Sequence, residues 1–471
     1  MRSIFLSIGL LPALLLAQEQ WTLQQCIQRA EEKNLNVLNA TLDLDLADKA
    51  GDRAWWDLAP DLNGVATHGY NYGRVVDRFT NTFATDQVRT NNFFLSSSVS
   101  LFEGMRKQNA IKRSEIDMEA AGSGLEAARN DVRLEVVQAF LDVLGLRERM
   151  AASRVQIGNT EEQLQLTKAL VDAGRLAQAE YLNLDAQLAQ EEANLTDLQN
   201  QHDLRMLDLG RAMQLEPREM LTFDITAPLI SDLQVTEPDV AAEEVLNNVL
   251  ATNPAFIQAE LMVLSAEKSV DIARSGIYPS LSFQGSLGTG YSGRNFQQVG
   301  EPVLSDPVLI GATESGEAVY TSTFAYNTAL VPFMDQLDQN FNQSIGFTLN
   351  VPLFNRMQNR FAIDQARVEY EKTRNRMIAV RNDMQRAVLD AIVMQRSAYR
   401  QFRAANRAVE AGELALEYAK QRFDQGVITS IEYNTAKTNL DRSTADLINS
   451  KYQYLMATKY LDILQGLPVT L

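Results

Sequence analysis

Few residues in this chain could do covalent chemistry. Two histidines, His68 and His202, and one cysteine, Cys26, stand far apart. They form no metal-spaced cluster, and no glycine-rich phosphate loop accompanies them. Acidic pairs such as Glu31-Glu32 and Glu161-Glu162 read as charged helix surface, not as a general acid and its base. With no catalytic constellation, neither enzymatic activity nor a cofactor or metal is expected. What does recur is a carboxylate placed twice in one setting. Glu180 follows Gly174 by six residues, Glu432 follows Gly426 by six, and each is followed by a tyrosine. Glycine tolerates the left-handed backbone that ends a helix, so each carboxylate lies in the first turns after a helix break. Grouped at an opening, such carboxylates would favour cations. Taken singly, each is also an ordinary solvated glutamate.

These two positions belong to a tandem duplication. Residues 102–195 and 354–447 lie in register at an offset of 252: Arg129-Asn130-Asp131 falls on Arg381-Asn382-Asp383, and Asp172 on Asp424. Upstream, Asn34 pairs with Asn253 and Pro60 with Pro279 at an offset of 219. The difference, 252 − 219 = 33, places an insertion of that length between Leu281 and Phe341. The chain therefore divides into a first repeat over 18–237 and a second over 238–471.

Net charge is −17, which disfavours nucleic acid as a partner. Residues 1–17 read as a secretory signal: Arg2, an apolar run from Ile4 to Leu16, then Ala17 before a polar stretch. No uninterrupted apolar run of about 18 residues occurs elsewhere, so a helical membrane span is not expected.

Within each repeat the hydrophobic period changes twice. A helical pattern over 21–57, and again over 239–276, ends at a proline. Alternating strands of about 61–72 and 92–102 follow, and in the second copy about 280–291 and 341–354. Phe93, Leu95, Val99 and Leu101 take one face and Ser96, Ser98 and Ser100 the other. That length and two-faced pattern suit a tilted membrane strand and equally a half-buried soluble sheet. From Glu103 to Ala173 no proline interrupts a helical pattern, giving a rod of roughly 105 Å. Gly174 breaks it, a return helix follows, and the second copy turns likewise at Gly426. The upstream and return helices together match the long one in length, so they are expected to stack end to end. The leftover segments, about 210–238 and 462–471, would belt the middle.

The whole pattern resembles the TolC-like outer-membrane efflux channels over nearly all of the mature chain. The resemblance is carried by Asn253-Pro254, Tyr278-Pro279-Ser280-Leu281, Val351-Pro352-Leu353-Phe354-Asn355 and the paired glycine turns, together with the duplication. It implies a mainly α fold with a transmembrane β-barrel contribution: a homotrimer pooling 3 × 4 strands into a twelve-stranded barrel, above an α-helical periplasmic tunnel. Four strands from one chain cannot close a barrel alone. By resemblance, Gly174, Arg175, Leu176, Ala177, Gly426, Val427, Ile428 and Thr429 form a tip that docks a periplasmic adaptor. Leu176 and Ile428 would be its exposed apolar residues, and Glu180 and Glu432 would ring the aperture. The family often has a second acidic residue nine after the second glycine, where Thr435 stands, and an arginine two after it, where Ile428 stands. Tyr70, Tyr72 and Tyr291 read as an interfacial aromatic girdle in outer-membrane lipid. Residues 293–340 read as a long external loop. The implied function is a passive exit duct serving an inner-membrane transporter and its adaptor. The alternatives are an exported soluble coiled-coil structural or adaptor protein and an exported enzyme.

Overall fold

A computed structural model of the chain describes residues 20–76, 81, 83–84, 87–226 and 241–469. The expected signal at 1–17 and parts of the expected belt lie outside the described residues. In chain order the first copy gives β1 (Gln20–Trp21), α1 (Leu23–Lys33), α2 (Leu35–Trp56), β2 (Asn63–Asn71), β3 (Val75–Val76), β4 (Phe83–Ala84), β5 (Val88–Glu103), α3 (Arg106–Asp172), α4 (Gln178–Ala212), α5 (Pro217–Met220) and β6 (Asp224–Ile225). The second gives α6 (Ala242–Thr252), α7 (Pro254–Ser275), β7 (Ser280–Ser292), β8 (Phe296–Leu304), β9 (Val308–Ala312), β10 (Ala318–Thr321), β11 (Phe324–Leu330), α8 (Phe333–Gln339), β12 (Asn342–Asn350), α9 (Gln358–Asp424) and α10 (Ser430–Leu464). The chain forms two compact units, and each takes segments from both repeats. The described residues of the first unit fall within 20–49, 115–226, 241–265 and 370–469, and those of the second within 50–114 and 266–369.

In the first unit the duplication is visible as two equivalent cores. Cys26 and Ala30 of α1 pack with Val136, Ala139 and Phe140 of α3 and with Leu209 and Ala212 of α4. Val245 and Val249 of α6 pack with Val388, Ala391 and Ile392 of α9 and with Leu461 and Leu464 of α10. These are the same positions at the two sequence offsets. The i, i+3, i+4 spacing gives each helix one apolar stripe to bury.

The upstream helices are not the single rods expected over 21–57 and 239–276. Both break at an asparagine. Asn34 ends α1, and its Oδ1 accepts from the Asn36 backbone N–H at 2.9 Å; Asn253 does the same for Ala255 at 3.0 Å. An asparagine side chain that caps the next helix competes with continuing the old one. Asn34 Nδ2 also donates to the Ala212 carbonyl at 3.1 Å, where α4 ends. The end-to-end junction is thus α2 against α4. α1 joins the belt segments instead, alongside the parallel β1–β6 pair. Among the described residues no single helix is long and apolar enough to cross a membrane.

The second unit holds a four-stranded antiparallel sheet of order β12-β7-β5-β2. The strands fall within a few residues of the expected ranges. The register places Phe93, Leu95, Phe283, Leu287, Ile345, Phe347 and Leu349 on one face. Ser96, Ser98, Ser282, Gln284, Ser286, Ser344 and Thr348 take the other. Phe94 and Val65, opposite each other, and Val88 are apolar exceptions on the polar face. Residues 293–340 are not a plain loop. β8 pairs with β11 and β9 with β10, and α8 follows before β12.

Both long helices end alike. Gly174 has φ 70° and Gly426 φ 71°. Arg175 N–H reaches back to the Leu170 carbonyl at 2.9 Å, and Val427 N–H to that of Arg422 at 2.9 Å. This five-residue reach closes the last turn around a left-handed residue. Gly426→Ala is therefore expected to lower stability by about 1 kcal/mol. Gly158→Ala, at an exposed site inside α3 with open space around it, should raise it by about 0.5–1 kcal/mol. Urea unfolding midpoints moving in opposite directions would check the pair.

Candidate functional site: the paired helical tips

The two hairpin ends come together within the first unit. Leu176, Glu180, Phe423, Ile428, Tyr433 and Asn434 line part of a cavity of about 570 Å³ between them. Leu176 and Ile428, expected to be exposed, are half-buried in its wall. The apolar side chains that stand out instead are Val427, 61% exposed, and Ile431, 67% exposed. Arg175, Ala177 and Thr429 are exposed. Phe423 and Tyr433 stack with ring centroids 5.4 Å apart, holding the second turn closed. Burial raises the Tyr433 phenol above its usual range, and nearby Asp424, Asp441 and Glu162 add to the shift.

The two glutamates are equivalent in sequence but not in role. Thr429 caps α10: its Oγ1 accepts from Glu432 N–H at 3.3 Å, and Glu432 Oε2 accepts from Thr429 N–H at 3.1 Å. This reciprocal pair is a capping box, whose Thr-x-x-Glu signature the sequence shows. The first tip has Ala177 at the matching position, which has no side-chain acceptor. Glu180 is accordingly released from its own helix end and accepts a hydrogen bond from Ser430 Oγ on the other tip. Ser430, which ties the tips together, was not among the expected site residues; a lone serine gives no periodic signal.

Further along the same helices lies a buried charged clasp that sequence patterning also misses. Lys437 Nζ of α10 lies 3.3 Å from Glu191 Oε1 of α4, and both side chains are under 10% exposed. Thr160 of α3 donates to Glu191 Oε2 at 2.6 Å and accepts from Lys437. Gln187 donates to Glu191 Oε1 at 2.9 Å. A buried pair so fully hydrogen-bonded holds its geometry, and removing one partner would leave a bare charge, at a cost of about 3–5 kcal/mol.

Asp441, one turn on, has no such donor: its Oδ2 is buried without a hydrogen-bond partner among the described residues. Burial pushes its pKa from 3.8 up to about 6; Lys437 opposes the shift and Glu191 adds to it. A carboxyl raised on folding stabilises the fold fully below its unfolded value, and that contribution is lost as pH rises through about 6. Asp441→Asn should therefore raise the urea midpoint at pH 7.5 and give a shrinking advantage as pH falls to 5.

At the second unit, Tyr70 and Tyr72 are exposed as a girdle requires. Tyr291 is not: it is 2% exposed, covered by Phe333 of α8 and by Arg89, whose Nη2 donates to its hydroxyl at 2.7 Å. The long 293–340 segment brings in part of that cover, Phe333 of α8, which packs on Tyr291 and is itself 39% exposed.

Sequence and structure comparisons agree on the relationship. The profile of the family described as outer membrane efflux protein matches residues 26–213 and 245–466. The outer membrane efflux protein BepC of Brucella suis is 21% identical over 400 residues, covering 83% of this chain and 74% of that one. The pyoverdine export outer membrane protein OpmQ of Pseudomonas aeruginosa is 24% identical over 273 residues, covering 57% of this chain and little more than half (56%) of that relative. In fold, the outer membrane protein VceC of Vibrio cholerae superposes with a TM-score of 0.74 at 15% identity, covering 94% of this chain and 96% of that one. Duplicated strands, long hairpins and paired tips are thus accounted for together: the chain belongs to the outer membrane efflux protein family.

Proposed function

We propose that the chain is the outer-membrane exit duct of a tripartite efflux or type I secretion system. It conducts substrate passively, without chemistry of its own, from a periplasmic adaptor and inner-membrane transporter to the exterior. The observation that carries this reading is the four-stranded sheet, with one apolar face, one polar face and two outer strands that pair with nothing else among the described residues. Such a sheet suits lipid only when copies pair edge to edge, and a homotrimer gives a closed twelve-stranded barrel. The same apolar face argues against the soluble coiled-coil alternative, in which it would be left in water.

The paired tips face the partner side of the duct. Gly174, Arg175, Leu176, Ala177, Gly426, Val427, Ile428 and Thr429 form the adaptor-docking surface, with Val427 as its most exposed apolar residue. Repeated by threefold symmetry, Glu180 and Glu432 become the charged rings of the aperture. The polar sheet face is mostly hydroxyls, amides and glycines, with Val65, Val88 and Phe94 as apolar exceptions and the single carboxylate of Glu103 at the end of β5, so it offers fewer charges than the tips, to which discrimination by ion sign is assigned.

Planar-bilayer recording tests the reading: the purified protein should form cation-selective channels, and a protein that never conducts would refute it. Glu432→Gln keeps the capping acceptor while removing the charge, so helix content should hold while cation selectivity falls. Unchanged selectivity would remove Glu432 from that role.

A further inference from the structure

α8 lies on the apolar face of the sheet, not the polar one. Phe333 sits on Phe93 at 6.5 Å and on Tyr291 at 5.2 Å between ring centroids. Both partners belong to the face that also carries Leu95, Leu287 and Phe283. The helix is fastened there by its side chains. Gln336, fully buried, accepts from Ser292 N–H at 2.9 Å and donates to the carbonyls of Ser292 and Val331 at 3.1 and 2.9 Å. Asn340 Nδ2 donates to the Gly290 carbonyl at 2.8 Å, and Thr289 Oγ1 to that of Leu337 at 2.5 Å. Residues 333, 336, 337 and 340 therefore face the sheet, while Met334, Asp335, Asp338 and Gln339 face away and are exposed.

Height along the strand says what meets that outward face. Leu281 and Tyr291 are ten residues apart on β7. At about 3.4 Å per residue and a tilt of about 40° they climb about 26 Å, against an apolar band of about 25 Å in membrane barrels. α8 therefore crosses the sheet where the band ends. Its outward face combines one exposed apolar residue, Met334, with two acidic ones, Asp335 and Asp338, a mixture suited to a lipid–water boundary.

We infer that α8 is an interfacial collar seated in the headgroup layer of the outer leaflet, with Met334 against the acyl chains and Asp335 and Asp338 toward water. Its continuity with the lipid-facing side of the sheet favours lipid as the occupant. The inference rests on the barrel reading above and adds the place of the outer membrane boundary. The collar explains why Tyr291 is buried: the helix takes over the interfacial position and shields the polar latch from hydrocarbon.

The test uses the full chain in phospholipid vesicles with a nitroxide at Met334→Cys. Met334 is 72% exposed, so the change spares the packing. Native Cys26 is buried, with its thiol pushed up to about 12, and stays unlabelled. Labels at Ile345→Cys, on the apolar face well inside the band, and at Ser344→Cys report the apolar and polar faces. The collar predicts an oxygen-to-nickel collision ratio at 334 below that at 345 and well above that at 344. A ratio at 334 equal to that at 344 overturns it. A label at 334 shielded from both reagents also overturns it, since protein rather than lipid then covers the helix. A water-like label at 345 would instead sink the barrel reading itself.

Discussion

The structure turns on unpaired backbone at the two edges of one sheet. β2 and β12 each present a row of N–H and C=O groups along one side. In water such an edge is a hazard for aggregation; in hydrocarbon each unsatisfied group costs several kcal/mol. The sheet's apolar face asks for lipid, and lipid in turn forbids the open edges. Assembly resolves the conflict, because the last strand of one chain can pair with the first strand of the next. Duplication supports this arrangement: each copy contributes two strands, and the antiparallel β5–β7 seam between copies is already closed within the chain.

The helical part follows the same economy of reuse. Val136 and Val388, Phe140 and Ile392, Leu209 and Leu461 occupy matching sites in two cores, and α10 also lends Leu455 and Ile463 to the first of them. The copies have diverged where local chemistry is cheap to change. One residue, Ala177 against Thr429, decides whether the following glutamate caps its own helix or reaches across to Ser430. Two carboxylates that sequence symmetry equates thus differ in freedom: one is committed to a backbone N–H, the other to a hydroxyl on the neighbouring tip.

Much of this was legible in the sequence because it is periodic. The strands, the long helices and the glycine turns all follow from spacing, and the structure reproduces them to within a few residues. What escaped was held by single side chains. The breaks at Asn34 and Asn253 depend on an asparagine satisfying the next backbone N–H, which overrides an otherwise continuous helical pattern. The burial of Tyr291 depends on α8, which lies in an insertion that the repeat does not describe. The Lys437–Glu191–Thr160 clasp joins three helices through residues that look like ordinary surface charge in each helix alone.

The central claim is that edge pairing between copies completes the sheet. Native mass of the detergent-extracted particle measures it most directly. Three chains per particle, persisting on dilution, is the predicted result; a stable single chain keeping its strand content in detergent would contradict the account.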